Sequence, residues 1–201
     1  MSELALLQVV RLKGRVNPGY LAETLDEDPA DLDSTVSWLI ESGLLLNDKT
    51  LKLSDEGRAR LSELLAEERR SVDKAAMTGA YNDFRAVNAD FKAVVTDWQL
   101  KAGEPNNHDD PEYDAAILAR LESVHQRVMP IIAAAAAQLP RLSGYSAKLQ
   151  RALVRVRAGK IAWLSRPIID SYHTVWFELH EELIVAAGLT REAEAKSGEA
   201  Q

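Results

Sequence analysis

The chain has 201 residues, 46% of them hydrophobic and 27% charged, which is the composition of a globular protein and excludes a disordered one. It contains no cysteine, so a disulfide framework and a thiolate metal site are excluded. No apolar run reaches the roughly 18 residues that span a bilayer, and MSELALLQVV carries an acid where a secretory signal needs basic residues. We therefore expect a cytoplasmic protein without a membrane partner.

The net charge of −7 is distributed unevenly. Residues 1–70 contain nine basic and fourteen acidic residues, whereas the rest contains fifteen and seventeen. No acid occurs between Glu122 and Asp170, but the following bases do: Arg127, Arg141, Lys148, Arg151, Arg155, Arg157, Lys160 and Arg166. Any attraction for anions is therefore expected in the C-terminal half.

Local signals predict three helices, a hairpin and a fourth helix in residues 1–70. The first helix ends at Gly14, Asn17 caps the second, and Gly43 ends the third. The inner face of the third helix is formed by Leu32, Val36, Leu39 and Ile40. LLLNDKTLKLS then predicts two short strands around an Asp48-Lys49 turn, and Ser54 caps the fourth helix. This order is typical of a winged helix-turn-helix with a small β-hairpin wing.

The segment GLLLNDKTLKLSDEGRARLSELL resembles the wing and following helix of MarR- and PadR-type bacterial regulators, in which a strand ends in a Leu-Thr/Ser-x-x-Gly-Arg turn. The resemblance covers about the first 70 residues. It implies a winged-helix fold and DNA binding, but it does not identify a target.

Residues 71–190 are predicted to form an all-α helical bundle, so the fold class is mainly α. One apolar stripe at helical spacing could support dimerisation or pack within one chain. It consists of Phe84, Val87, Phe91, Val94 or Val95, and Trp98. Asp110 and Pro111 open the next helix, which is expected to break or kink near Pro130. Its inward side is formed by Ile117, Leu121, Val124 and Val128. A further helix ends at Gly159, and Pro167 is expected to open the last one. Residues 191–201 read as a polar tail.

The N-terminal end of the third helix is where a helix-turn-helix contacts bases. Asp31 and Asp33 occupy it here, and residues 28–45 contain no Lys or Arg. Local helix capping explains these carboxylates without any ligand. The candidates for DNA contact are Ser34, Thr35, Ser37, Lys49, Lys52 and Arg15. Because phosphate neutralisation dominates affinity for DNA, recognition of a basic protein partner is the competing interpretation.

The C-terminal half offers candidates for binding an anionic or aromatic effector. They lie on the basic helix and on the last helix: Arg151, Arg155, His173, Trp176 and His180. In the sequence, Asp170, His173, Phe177 and His180 share one helical face. The alternatives are ordinary ones, namely that the bases are a solvated surface and that the aromatic stripe is core.

ESVH and DSYH each place a carboxylate and a histidine three residues apart, as in carboxylate-bridged metal sites of helix bundles. The candidate ligands are Glu122, His125, Asp170 and His173. The carboxylate-bridged pattern also needs inward Glu residues on the other helices, and these are missing. The His and Asp are also similar to those that hold a metal in some GntR-type regulators. No motif of a catalytic triad, phosphate loop or zinc protease occurs, so we expect neither an enzyme nor a cofactor.

Together these observations predict a one-component transcriptional regulator that binds DNA as a homodimer. The helical half would supply dimerisation and effector binding. Two alternatives stay open: an interaction adaptor whose acidic winged helix binds a protein, and a metal-dependent helical protein.

Overall fold

A computed structural model describes residues 2–25 and 27–190. It is mainly helical and divides into two compact units, Met1–Ser71 and Val72–Gln201. No helix in these ranges is long and apolar enough to cross a membrane. The polar tail predicted at residues 191–201 lies outside the described residues.

The N-terminal unit contains the helices and strands that the sequence predicts, in the same order. Their bounds are α1 Glu3–Lys13, α2 Pro18–Leu25, α3 Pro29–Glu41, β1 Leu45–Asp48, β2 Thr50–Leu53 and α4 Asp55–Glu68, followed by a 3-10 turn, Arg69–Ser71. Gly14 and Gly43 end helices with φ of 69° and 73°, a conformation that glycine adopts without strain. The apolar faces of these elements bury a small core that includes Leu6, Leu21 and Leu39.

The hairpin pairs β1 with β2 in antiparallel register, from Leu45 opposite Leu53 to Asp48 opposite Thr50. Lys49 forms its tip with a φ of 66°. On the other side of β2, Val16 forms a reciprocal backbone pair with Leu51, with N···O distances of 3.0 and 2.8 Å. Val16 therefore adds a third, one-residue strand, which the sequence did not indicate.

Ser54 and Gly57 join the hairpin to α4. The Ser54 hydroxyl accepts a hydrogen bond from the Gly57 amide at 2.8 Å and donates to the Gly43 carbonyl at 2.6 Å. A Cβ at Gly57 would lie 2.0 Å from the carbonyl oxygen of Leu44. The spacing Leu53-Ser54-x-x-Gly57 is thus required by close contact between the start of α4 and the start of the hairpin.

The C-terminal unit is a helical bundle with one very small hairpin. Its elements are α5 Lys74–Gln99, β3 Leu100–Lys101, β4 Glu104–Pro105, α6 Pro111–Gln138, a 3-10 turn Pro140–Ser143, α7 Gly144–Arg157, α8 Ala162–Ser165 and α9 Tyr172–Ala186. This hairpin was not predicted. Asp110 caps α6 as expected, since its carboxylate accepts from the Tyr113 amide at 3.1 Å.

The stripe on α5 packs inside this unit, and Phe84 and Phe91 are completely buried. The prediction was a break or kink near Pro130; a break is wrong, because α6 runs through Pro130 without interruption, and a kink stays a prediction. Pro130 and Gln126 are both exposed, so the carbonyl that loses its helical partner faces solvent. Burial of Ile131 and Ile132 directly afterwards holds the second half of the helix in place.

The prediction that Pro167 opens the last helix is also wrong. Residues 167–170 form a turn in which Ile168 has a φ of 77°, and α9 begins at Tyr172. Ser171 caps it by accepting from the Thr174 amide at 3.3 Å. Asp170 therefore precedes the helix and does not share a helical face with His173.

Candidate functional site

The solvent side of α3 is the most distinctive surface of the N-terminal unit. Asp28 caps the helix by accepting from the Ala30 amide at 2.8 Å, and Leu32, Val36 and Leu39 are buried. The opposite side is exposed and consists of Asp31, Ser34, Ser37, Trp38 and Glu41, which we call the α3 face. It has a carboxylate at each end, hydroxyls between them and one large aromatic ring.

Trp38 is the residue of this face that the sequence reasoning missed. Its side chain is 50% exposed, and Leu46 on the neighbouring hairpin is 45% exposed. A signal was present, because position 38 is two residues from the buried Val36 and a helix turns about 200° over two residues. Trp38 is the largest apolar side chain that the described part of this unit leaves half exposed, and with Leu46 it offers apolar surface to a protein partner.

The residues predicted to contact DNA are spread over three elements. Ser34 and Ser37 are exposed on α3, with the Ser34 hydroxyl 3.4 Å from the Asp31 carbonyl, while Thr35 is half-buried. Arg15 and Lys49 are exposed, and Lys52 is half-buried. Residues 16–48 hold eight acids and no base, so every cation of this set lies outside the α2–α3 segment.

Of the residues predicted to bind an effector, Trp176 and His180 belong to the packed core. Trp176 stacks on Phe91 with ring centroids 4.3 Å apart, and its indole nitrogen donates to Asn88 at 2.8 Å. Phe84 contacts the rings of both Trp176 and His180, at 5.0 and 5.2 Å. These rings fill the space expected for a ligand, so an effector there would have to displace them.

The remaining effector candidates are partly or fully exposed, and His173 borders that core. Arg151 is exposed on α7, and the Arg155 guanidinium lies 3.8 Å from the centroid of the Trp163 ring. His173 is half-buried with its ring 6.1 Å from Phe91, and burial lowers its pKa. Effector binding stays a prediction, and these contacts do not assemble its five residues around one cavity.

The candidate metal ligands form other contacts. Glu122 accepts from Arg157 at 2.8 Å. His125 places one ring nitrogen 2.8 Å from the Gln150 side-chain oxygen and the other 3.2 Å from the Tyr172 hydroxyl. Burial lowers the pKa of His125, and the nearby Arg157 lowers it further. Throughout residues 2–25 and 27–190, no group of three His, Asp or Glu side chains is placed to hold a metal ion.

Three glutamates of α9 are buried, which was not predicted from the sequence. Glu178, Glu181 and Glu182 are 2%, 9% and 2% exposed. Arg141 forms an ion pair with Glu182 at 2.7 Å, with the two side chains 18% and 3% exposed. Burial, together with the Glu182 charge, raises the pKa of the neighbouring Tyr145. Arg141, one of the eight bases between Glu122 and Asp170, therefore neutralises an acid inside the bundle.

A groove of about 240 Å³ between α5 and α6 contains Asp90, Arg120, Ser123 and Arg127. Its two arginines are ion-paired with aspartates of α5, Arg127 with Asp90 and Arg120 with Asp97. Both arginines of the groove are therefore already neutralised, so the groove is not suited to binding an anion.

No protein-family model, no curated protein and no solved structure matches this chain. The resemblance to MarR- and PadR-type regulators stays a prediction from the sequence.

Proposed function

We propose that the N-terminal unit is a winged helix-turn-helix that recognises a protein through the α3 face. Three features support the fold: the order of α1–α4 with the hairpin between α3 and α4, the short step from Leu25 to Pro29, and the pairing of Val16 with Leu51. The tight Ser54–Gly57 joint supports it further.

The observation that carries the proposal is the half-exposed Trp38 within an acidic helix face. Duplex DNA repels such a face, because affinity for DNA comes mainly from Lys and Arg that neutralise phosphates. Protein interfaces, in contrast, are enriched in tryptophan at their centres. The partner should present basic residues to Asp31 and Glu41 and an apolar surface to Trp38.

The size of the Trp38 contribution follows from its exposed area. A tryptophan buries about 150–250 Å² in a core or interface, so the exposed half has about 100 Å² still to lose. At about 25 cal/mol per Å², its burial contributes about 2–3 kcal/mol, which corresponds to roughly 30- to 150-fold in affinity. This is the range of an interface hot spot.

The proposal is tested by affinity capture with the tagged full chain from nuclease-treated extracts of its own cells. Trp38→Ala and the control Ile168→Ala, which truncates an 89% exposed side chain of the other unit, are compared with wild type. We expect one stoichiometric protein that Trp38→Ala loses and Ile168→Ala retains. A partner retained equally by Trp38→Ala, or recovered only when nuclease is omitted, would contradict the proposal.

DNA binding by a one-component transcriptional regulator is the second candidate. It is favoured by the exposed hydroxyls of Ser34 and Ser37 and by the exposed cations Arg15 and Lys49. Fluorescence anisotropy with the DNA flanking the chain's own gene separates the two functions. A regulator loses affinity with Lys49→Glu and with added salt, whereas Trp38→Ala leaves its binding unchanged.

A further inference from the structure

We infer that the protein recognised by the α3 face is a second copy of this chain, which it contacts through the basic face of α7. This inference rests on the proposed function and names its partner. Two copies would exchange these contacts around a twofold axis, so that each α3 face lies on the α7 face of the other copy.

The α7 face consists of Arg151, Val154 and Arg157 on the helix and of Lys160 and Ile161 at its C-terminal end. All five are exposed, and Val154 and Ile161 are 51% and 48% exposed. Their inward neighbours Leu149, Ala152, Leu153 and Val156 are buried, so this is the solvent side of an amphipathic helix.

The α7 face is complementary to the α3 face in both charge and apolar content. It lies in the stretch 123–169, which has eight bases and no acid, whereas α3 lies in the stretch 16–48, which has eight acids and no base. Glu122 neutralises part of the charge of Arg157, but Arg151 and Lys160 stay exposed to meet Asp31 and Glu41. Val154 and Ile161 provide the apolar surface that Trp38 requires.

A second copy accounts for these surfaces better than polyanions do. DNA or RNA would pair with the cations but would leave Val154, Ile161 and the acidic α3 face unexplained. The α5 stripe from Phe84 to Trp98 is buried within one chain, so it cannot supply a dimer interface. An exchanged pair of contacts uses both faces of both copies.

A charge exchange tests the inference with the full-length chain. One variant carries Asp31→Lys and Glu41→Lys, and the other carries Arg151→Glu and Lys160→Glu; all four positions are exposed, so folding is preserved and is checked by circular dichroism. Each variant alone brings like charges together and should be monomeric in sedimentation velocity. An equimolar mixture restores opposite charges at both contacts and should form a heterodimer.

Wild type should dimerise, with at least tenfold weaker association in high salt or after Trp38→Ala. A monomeric wild type at low salt, or a dimer indifferent to both charge-reversed variants, would overturn the inference. Failure of the proposed function is distinguishable. If wild type is monomeric but Trp38-dependent capture of another protein persists, only the self-partner is wrong; if Trp38→Ala affects neither experiment, protein recognition by α3 is wrong as well.

Discussion

Replacing Gly57 with alanine should selectively destabilise the N-terminal unit. The new Cβ would meet the Leu44 carbonyl oxygen at 2.0 Å and the Ser54 hydroxyl at 3.3 Å. The Leu44 carbonyl would have to withdraw by about 1 Å before the contact became tolerable, which moves the start of the hairpin away from α4. Gly57 is buried at this joint, so no side-chain rearrangement can absorb the clash.

The cost can be worked from these contacts. Overpacking a close-packed site costs about 1–3 kcal/mol, and the weakened Ser54 cap adds about 1 kcal/mol. A unit of this size is stable by only about 4–11 kcal/mol, at about 0.05–0.15 kcal/mol per residue. A loss of about 2–4 kcal/mol therefore raises the open population of this unit by roughly thirtyfold to nearly a thousandfold.

Hydrogen exchange with mass spectrometry on the full chain measures this effect separately in each unit. Peptides from α3, β2 and α4 should exchange faster by those factors, whereas peptides from α5 and α6 should not change. The matched control is Gly79→Ala in α5, where nothing lies within 4 Å of the added Cβ; it should stabilise its helix by about 0.5–1 kcal/mol. Unchanged protection of α4 in Gly57→Ala would refute the reasoning.

Two further predictions concern the C-terminal unit. Arg141→Ala removes the 2.7 Å partner of the buried Glu182 and should destabilise the unit by about 3–5 kcal/mol in urea unfolding, with a smaller loss for Glu182→Gln; equal losses would contradict the ion pair's role. The pKa values of His125 and His173 are lowered by burial, so the unfolded chain takes up protons first as pH falls. The free energy of unfolding should therefore be nearly constant between about pH 7.5 and 9 and decrease as pH falls through about 6.5. His125→Gln should reduce that decrease, and an identical pH profile in this variant would show that His125 does not contribute.

Local signals were enough to predict the elements of the N-terminal unit. Gly14 and Gly43 end helices, Asn17 and Ser54 begin them, and each acts through backbone contacts only a few residues away. The pairing of Val16 with Leu51 could not be predicted in this way, because a single extended residue has no periodicity. Its pairing depends on where α1 and the hairpin pack.

The misjudged features of the C-terminal unit have a common physical cause. Pro167 has the local chemistry of a helix start, but Ser171 caps the helix instead. Trp176 and His180 were predicted to bind an effector, but their spacing could not show that Phe84 and Phe91 fill the space beside them. Whether an inward face lines a cavity or a packed core depends on the opposing helices, which one helix's sequence does not contain.

The buried Glu182 of α9 accounts for one of the eight bases in the preceding chain, and it limits what their charge can mean. α9 is enclosed by its neighbours, and a carboxylate in that position requires a cation from another segment. Arg141 meets this need for Glu182, so its charge is used within the bundle. Arg151 and Lys160 lie on the solvent side and are not required for that purpose, and Val154 and Ile161 beside them do not improve solubility. A surface that combines surplus cations with exposed aliphatic side chains is suited to an acidic partner with an apolar centre, and the face around Trp38 has both properties.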